Sequence, residues 1–153
     1  MYQLFNKQII PSSRDKVWDF ISSPRNLKNI TPPYMGFEIT NEPVSDKMYQ
    51  GMIISYKVSP VLGIKINWLT EITHVVDKHF FVDEQRSGPY KLWHHQHKLT
   101  EINGEVMMED IVTYIPPFGI IGKIANCIFI EKQIKEIFKY RTEAIEKIFS
   151  GNY

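Results

Sequence analysis

Residues 80–99 read FFVDEQRSGPYKLWHHQHKL, a stretch with the alternating pattern of β-strands that also contains an aspartate, a tryptophan and three histidines. Successive side chains of a strand point to opposite faces of its sheet. One face of the predicted second strand therefore carries Trp93, His95, His97 and Leu99. Two imidazoles beside tryptophan and leucine are unlike an ordinary solvent-facing surface. We interpret this face as the wall of a partly polar cavity.

The dipeptide Asn103-Gly104 is the strongest hairpin signal in the chain, because a two-residue turn of this kind requires positive φ angles. This turn places His97 opposite Asp110, and directly opposed side chains have Cβ atoms roughly 5 Å apart. The same register gives the pairs His95–Val112, Trp93–Tyr114 and Leu99–Met108. One face of the hairpin thus collects two histidines, an aspartate, a tyrosine and a tryptophan.

The turn at Ser87–Pro89 decides whether Asp83 and Gln85 share this face. A three-residue loop places Asp83 opposite Trp93, whereas a two-residue loop turns Asp83 to the face away from the histidines. The sequence leaves both alternatives open, because a slip of one residue reverses every side chain of a strand.

The hydrophobic pattern predicts a first strand, two short helices, six further strands in an antiparallel meander and a long last helix. The predicted strands are 1–10, 37–42, 50–59, 63–76, 79–86, 90–102 and 105–115, and the predicted helices are 14–21, a short one from 24, and 120–149. Turns are predicted at Pro60 to Gly63 and at Asp77-Lys78, the latter pairing Ile72 with Asp83. The last helix has an apolar stripe from Ile121 to Ile148, which we expect to pack on the concave side of the sheet.

Composition limits the class of protein. The chain has 153 residues, 43% hydrophobic and 13% aromatic, which suits a single domain over residues 1–153 with one core. The net charge of +1 gives no support for binding to nucleic acid, and Cys127 is the only cysteine, so no internal disulfide forms. The chain has no apolar run of signal-peptide or membrane-spanning type, so we expect a cytoplasmic protein that does not insert into membranes.

The order of the predicted elements and several short motifs support a family resemblance. The motifs are VWDF at 17–20, LKNITPP at 27–33, FVDEQ at 81–85, GPY at 88–90, WHHQH at 93–97 and DIVTY at 110–114 with Pro116. Over nearly its whole length the chain resembles small stand-alone bacterial members of the START-like, or SRPBCC, superfamily. That superfamily includes birch-pollen-allergen relatives and the polyketide cyclase/dehydrase and lipid-transport group. The resemblance implies an α+β helix-grip fold, in which a curved antiparallel sheet of about seven strands wraps around a long C-terminal helix, with two short helices after the first strand.

The resemblance also implies a cavity between the sheet and the helix that holds a small hydrophobic or amphipathic ligand. Candidate residues for contacting this ligand are Trp68, Phe81, Asp83, Gln85, Trp93, His95, His97, Asp110, Tyr114, Phe118 and Arg141. For each aromatic residue, packing in an ordinary core is the alternative. Arg141 lies within the apolar stripe of the helix, where it either reaches an acidic group in the cavity or extends to solvent.

The histidines also raise the questions of metal binding and catalysis. His95 and His97 have the spacing of strand-borne metal ligands, with Asp110 or Glu71 as a third ligand. A hydrogen-bonded histidine–aspartate pair is the more common arrangement, so we predict no metal and no other cofactor. The same histidines, with Asp110 and Tyr114, are the candidates for acid–base catalysis, although the sequence has no nucleotide-binding or metalloprotease motif.

Three functional hypotheses follow. The leading one is binding of a small hydrophobic or amphipathic molecule. The first alternative is a cyclase or dehydratase that acts on a polyketide-like or related small molecule by acid–base catalysis. The second alternative is a non-catalytic interaction module of the co-chaperone type, which an empty or collapsed cavity would favour.

Overall fold

The computed structural model describes residues 1–41, 45–59 and 64–151. These residues form a seven-stranded antiparallel sheet with the strand order β1-β7-β6-β5-β4-β3-β2. The strands are β1 (Tyr2–Ile10), β2 (Glu38–Ile39), β3 (Ile53–Val58), β4 (Ile66–Val76), β5 (Phe80–Ser87), β6 (Leu92–Ile102) and β7 (Glu105–Ile115). The helices are α1 (Arg14–Ile21), 3-10 segments at Pro24–Ile30 and Pro33–Met35, α2 (Gly119–Ala125), a π-helical turn (Asn126–Ile130) and α3 (Glu131–Ser150). The predicted α+β architecture is confirmed.

Most of the predicted bounds agree with the structure to within two residues, and the differences lie near the β2–β3 end of the sheet. The strand predicted at 37–42 is only the two-residue β2, and its predicted last residue, Glu42, lies outside the described residues. The strand predicted at 50–59 is confined to Ile53–Val58. The predicted turn from Pro60 to Gly63 lies outside the described residues.

The hairpin of β6 and β7 has the predicted register. Asn103 and Gly104 have φ angles of 53° and 83°, the positive values that a two-residue turn of this type requires. His97 is paired with Asp110, and Trp93 with Tyr114. Alternation of side chains along these strands therefore places the predicted face toward the interior.

The connection between β4 and β5 differs from the prediction. The turn contains three residues, Asp77 to His79, instead of two. An irregularity between Ile72 and His74 leaves one residue of β4 unpaired and shifts the register by one position. This bulge compensates for the longer turn, so that Ile72 is opposite Asp83 as predicted.

The connection between β5 and β6 matches neither of the alternatives left open by the sequence. Four residues, 88–91, separate the two strands, and Asp83 is paired with His95 instead of Trp93. The shift from the three-residue alternative is an even number of positions, so Asp83 shares the inward face with the histidines.

The long C-terminal helix is present, but its predicted stripe is buried only along its second half. Ile121 and Ile128 are 72% and 70% exposed, whereas Ile134 and Ile145 in α3 are almost completely buried. The π-helical turn between α2 and α3 inserts an extra residue, which rotates the apolar stripe by roughly 100°. The expectation that the whole stripe faces inward is therefore wrong for the part before Ile130.

The short helix α2 contacts the rest of the chain through a small residue. Its one buried residue is Gly122, where a side chain would collide with the carbonyl oxygen of Pro117. The close approach is possible only because glycine lacks a Cβ atom. The large apolar side chains of α2 extend into solvent, so the burial that stabilises the C-terminal helix is concentrated in α3.

α3 is fixed to the sheet by both apolar and polar contacts. Phe138 packs against the ring of His95, with 5.4 Å between ring centroids. At the other side, Asn6 and Gln8 of β1 donate hydrogen bonds to the hydroxyl and carbonyl oxygens of Thr142, at 3.2 and 2.8 Å. These contacts hold one face of α3 over the interior of the sheet.

The two halves of the helix allow a matched test of this packing. We expect Ile134→Ala in α3 to lower the free energy of unfolding by about 2–4 kcal/mol, because it deletes a buried side chain and leaves a cavity. The same substitution at Ile121 should change it by less than about 0.5 kcal/mol, since that side chain is exposed. Urea unfolding of both variants measures the difference, and an equal loss in both would contradict the described packing of α2.

Candidate functional site

A cavity of about 120 Å³ lies between the sheet and α3. Strands β3 to β6 supply one wall, and Ile134, Ile137, Phe138 and Arg141 of α3 supply the other. Most of the lining is apolar. Its polar side chains come chiefly from inward-facing positions of β4, β5 and β6, where a strand presents every second residue.

Aromatic side chains form one end of the cavity. The Trp68 and Trp93 rings meet edge to face with 5.3 Å between their centroids, and Tyr90 lies 4.9 Å from Trp93. Tyr56 stacks on the other side of Trp68 at 5.8 Å, and its hydroxyl group is 3.0 Å from the hydroxyl group of Thr70. These distances are typical of attractive aromatic pairs, so the rings stabilise one another's positions in the cavity wall.

The polar end consists of two aspartates and two histidines, which we call the Asp–His cluster (Asp83, His95, His97 and Asp110). The nitrogens of His95 lie 3.3 Å from an Asp83 oxygen and 3.1 Å from an Asp110 oxygen. The nitrogens of His97 lie 2.9 Å from each of the same two oxygens. Each imidazole is therefore held between two carboxylates.

The charges of the Asp–His cluster stabilise one another. Burial alone would raise the pKa of the Asp83 and Asp110 carboxyl groups, but the charge of the neighbouring imidazoles and the hydrogen bonds His97–Asp83 and His95–Asp110 lower the pKa of each carboxyl group below its usual range. Burial alone would lower the pKa of His95, but the charge of Asp83 and hydrogen bonds to both carboxylates raise it overall. We infer that His95 is an imidazolium between two carboxylates at mildly acidic pH.

Arg141 brings a second positive charge to this end of the cavity. Its Nη1 atom is 3.7 Å from an Asp110 oxygen, close enough for charge attraction but too far for a hydrogen bond. Its guanidinium carbon lies 5.1 Å from the centre of the Phe138 ring, a cation–π arrangement. The side chain is only 12% exposed, so the alternative in which Arg141 extends to solvent does not apply.

The structure brings together eight of the eleven residues predicted to contact a ligand. The residues that line the cavity are Trp68, Phe81, Asp83, Trp93, His95, His97 and Arg141. Asp110 lies directly behind the histidines and is 2% exposed. The other three predicted residues are Gln85, Tyr114 and Phe118, and each lies elsewhere.

The positions of these three residues have clear structural reasons. The Gln85 side-chain amide donates a hydrogen bond to the Tyr90 carbonyl oxygen at 2.6 Å and accepts one from the Tyr90 backbone N–H group at 3.2 Å. These two bonds stabilise the β5–β6 connection. Tyr114 is buried behind the lining, with 5.6 Å between its ring centroid and that of Tyr2, and 5.8 and 6.2 Å to those of the lining residues Tyr90 and Trp93. Phe118 precedes α2 with a positive φ of 62° and is 81% exposed, so the expectation that it lines the cavity is not met.

The sequence interpretation did not select several lining residues, among them Tyr56, Thr70 and Tyr90. Thr70 could have been predicted from strand alternation, because it lies on the same face of β4 as Trp68 and Ile72. Tyr56 on β3 and Tyr90 in the β5–β6 connection had no such signal. Their placement depends on the β3–β4 pairing and on the course of the connection, neither of which the sequence specifies.

Within residues 1–41, 45–59 and 64–151, one group has ligand atoms close enough to hold a metal ion. Asp83, His95 and His97 each offer a ligand atom within 4.8 Å of the other two. Those atoms already contact one another within the Asp–His cluster, so a cation would have to displace these contacts. The predicted third ligands, Asp110 and Glu71, are not in this group. Glu71 forms a hydrogen bond with Arg86 at 2.6 Å, on the strand face opposite to that of Thr70 and Ile72.

Comparisons with known proteins give no match to a protein-family profile and no match to a curated protein. Solved structures match over the full chain. A START superfamily protein from Mycobacterium smegmatis aligns with a TM-score of 0.73 at 9% identity, covering 100% of both chains. The major latex-like protein 151 of Panax ginseng aligns with a TM-score of 0.69 at 13% identity, covering 97% of each chain.

A third structure, the protein TTHA0849 from Thermus thermophilus, aligns with a TM-score of 0.72 at 15% identity, covering 99% of this chain and 100% of the other. The fold is the START-like helix-grip fold. The predicted resemblance is thereby confirmed at the level of the fold. Among the described residues, no helix has the length and apolar character needed to cross a membrane.

The Asp–His cluster should make the stability of the protein depend on pH. Carboxylates with a lowered pKa stabilise the folded state above about pH 4, and His95 with its raised pKa does so fully below about pH 6.5. The free energy of unfolding should therefore fall as the pH rises through the pKa of folded His95, and fall again in acid. We expect His95→Gln to abolish the decrease in the free energy of unfolding at higher pH. His74→Gln, at an exposed position, should retain that decrease. Urea unfolding at several pH values tests this, and a pH-independent parent above pH 6 would contradict it.

The metal prediction remains open to a direct measurement. We expect the purified protein to contain no stoichiometric zinc, iron or manganese, because the three candidate ligands are engaged in the Asp–His cluster. Elemental analysis decides the matter. About one metal ion per chain, lost in the His97→Ala variant, would reverse the prediction.

Proposed function

We propose that this protein binds a small hydrophobic or amphipathic molecule in the cavity between the sheet and α3. The observation that carries the proposal is the composition of the cavity, which combines apolar and aromatic walls with a few polar groups at one end. Ligand sites in proteins have this composition, because the walls provide affinity and the polar groups fix orientation. The START-like fold gives further support, because the resemblance to that superfamily implies ligand binding.

The size of the cavity favours a compact ligand. Its volume of about 120 Å³ is similar to that of an apolar cavity of about 150 Å³ that accepts benzene. Met35 and Met48 are also part of the lining, and methionine side chains adapt readily to an irregular ligand. A molecule with one ring or a short chain is therefore the ligand size that we propose.

Acid–base catalysis is a second candidate, and one observation favours it. His95 and His97 both line the cavity and both contact carboxylates, an arrangement that can hold and transfer a proton. Tyr114, the expected proton donor, packs behind Tyr90 and Trp93 and does not itself line the cavity. The catalytic hypothesis therefore depends on the Asp–His cluster alone, and ligand binding is the function we favour.

A cavity-filling substitution tests the binding proposal. Ile54 lines the cavity and Ile10 is equally buried elsewhere in the core. We expect Ile54→Phe to fill vacant space and lower the free energy of unfolding by less than about 1 kcal/mol, whereas Ile10→Phe should lower it by about 1–3 kcal/mol through overpacking. Ile54→Phe should also abolish binding of toluene, which we use as a ring-sized probe, while Ile10→Phe should retain it.

Calorimetry or NMR titration with toluene measures binding, and urea unfolding measures stability. Native mass spectrometry of the parent purified from its own host provides an independent test, because a retained ligand adds a defined mass. Equal toluene binding by the parent and by Ile54→Phe would show that the cavity is not the binding site.

A further inference from the structure

Several buried polar atoms of the cavity lining have no hydrogen-bond partner. Among the described residues, those that line the cavity are Trp68 Nε1, His97 Nδ1, Arg141 Nε and Arg141 Nη1. His97 Nδ1 lies close to Asp110, but its direction is unsuitable for a hydrogen bond. Buried polar groups are nearly always hydrogen-bonded, so a cluster of unpartnered atoms around one cavity requires a reason.

Three of the four unpartnered atoms have a common chemical character. Trp68 Nε1 and the two Arg141 nitrogens are donors and cannot accept a hydrogen bond. The nearby carboxylates do not satisfy them. One oxygen each of Asp83 and Asp110 is shared by the two histidines, and Arg141 Nη1 is 3.7 Å from that Asp110 oxygen, which is beyond hydrogen-bond distance. The hydroxyl groups of Tyr56 and Thr70 bond each other. The cavity therefore has free donors, and a complementary ligand must bring acceptors.

Arg141 limits the choice of acceptor further. A guanidinium group presents a planar fork of N–H donors that matches the two oxygens of a carboxylate. Here the fork is held between Phe138 and the Asp–His cluster, away from bulk water, where an ionic hydrogen bond is stronger than at the surface. A cationic group would leave these N–H donors without an acceptor, whereas a carboxylate accepts from them.

We propose that the natural ligand is a small carboxylic acid whose carboxylate binds Arg141 and whose apolar body lies against Trp68 and Trp93. This inference rests on the proposed binding function and specifies the class of ligand. Trp68 Nε1 then donates to an acceptor oxygen of the same molecule. The Asp–His cluster takes no part in direct recognition of the acid but fixes the charge environment beside Arg141.

A series of ring-sized probes tests the proposal. Benzoate, benzamide, benzylamine and toluene share one ring and differ in charge and in acceptor atoms. We expect the parent to bind benzoate at least about tenfold more tightly than each of the other three, measured by calorimetry with a chelator present so that metal ions play no part. Toluene binding reports on the cavity itself.

Substitutions of Arg141 test whether this residue causes the preference for benzoate. In Arg141→Met the affinity for benzoate should fall to the affinity of the same variant for toluene, and Arg141→Lys should give an intermediate preference for benzoate because it keeps the charge but loses the fork. Arg86→Met is the matched control, since Arg86 pairs with Glu71 away from the cavity, and it should bind all four probes as the parent does. Thermal unfolding confirms that each variant is folded.

The possible outcomes separate this inference from the function on which it rests. Similar affinities for benzoate, benzamide and toluene would overturn the carboxylate preference and leave a binding cavity intact. If benzylamine bound most tightly of the four probes, the carboxylate preference would also be overturned, while the binding cavity would remain. A benzoate preference that survives in Arg141→Met would remove Arg141 from the site. Failure of the parent to bind any of the four probes would overturn both proposals.

Discussion

The pairing of buried charges in the Asp–His cluster is the constraint on which the interior depends. Asp110 and both histidines are nearly inaccessible to solvent, and isolated charges in such a place would destabilise the fold strongly. They are tolerated because one oxygen of each carboxylate is shared by two imidazoles at 2.9 to 3.3 Å. Three adjacent strands must hold an exact register for this to occur, so the cluster and the β5–β6–β7 pairing support each other.

The helix completes this arrangement by excluding water from it. Phe138 covers the ring of His95, and Arg141 brings a positive charge to within 3.7 Å of Asp110. The polar end of the cavity is consequently a region of low dielectric, in which electrostatic interactions are stronger than in water. The stability of the cluster is therefore sensitive to the loss of any one of its partners.

The sequence by itself determined the features that depend on local chemistry. Asn103 and Gly104 set the register of β6 against β7, and strand alternation then assigned Trp93, His95 and His97 to the interior. The order of strands and helices was likewise predicted from hydrophobic periodicity. These features are encoded locally, because turn geometry and side-chain periodicity act over a few residues.

Tertiary structure decided the rest. The four-residue connection after β5 brought Asp83 opposite His95 and made a pair into a cluster of four, while a bulge in β4 corrected for an unexpectedly long turn. The π-helical turn changes which side of the last helix faces the sheet, and Arg141 beyond that turn lies in the cavity. Each outcome depends on packing between segments that are distant in the chain, and one extra residue in a loop or a helix changes the direction of every side chain that follows.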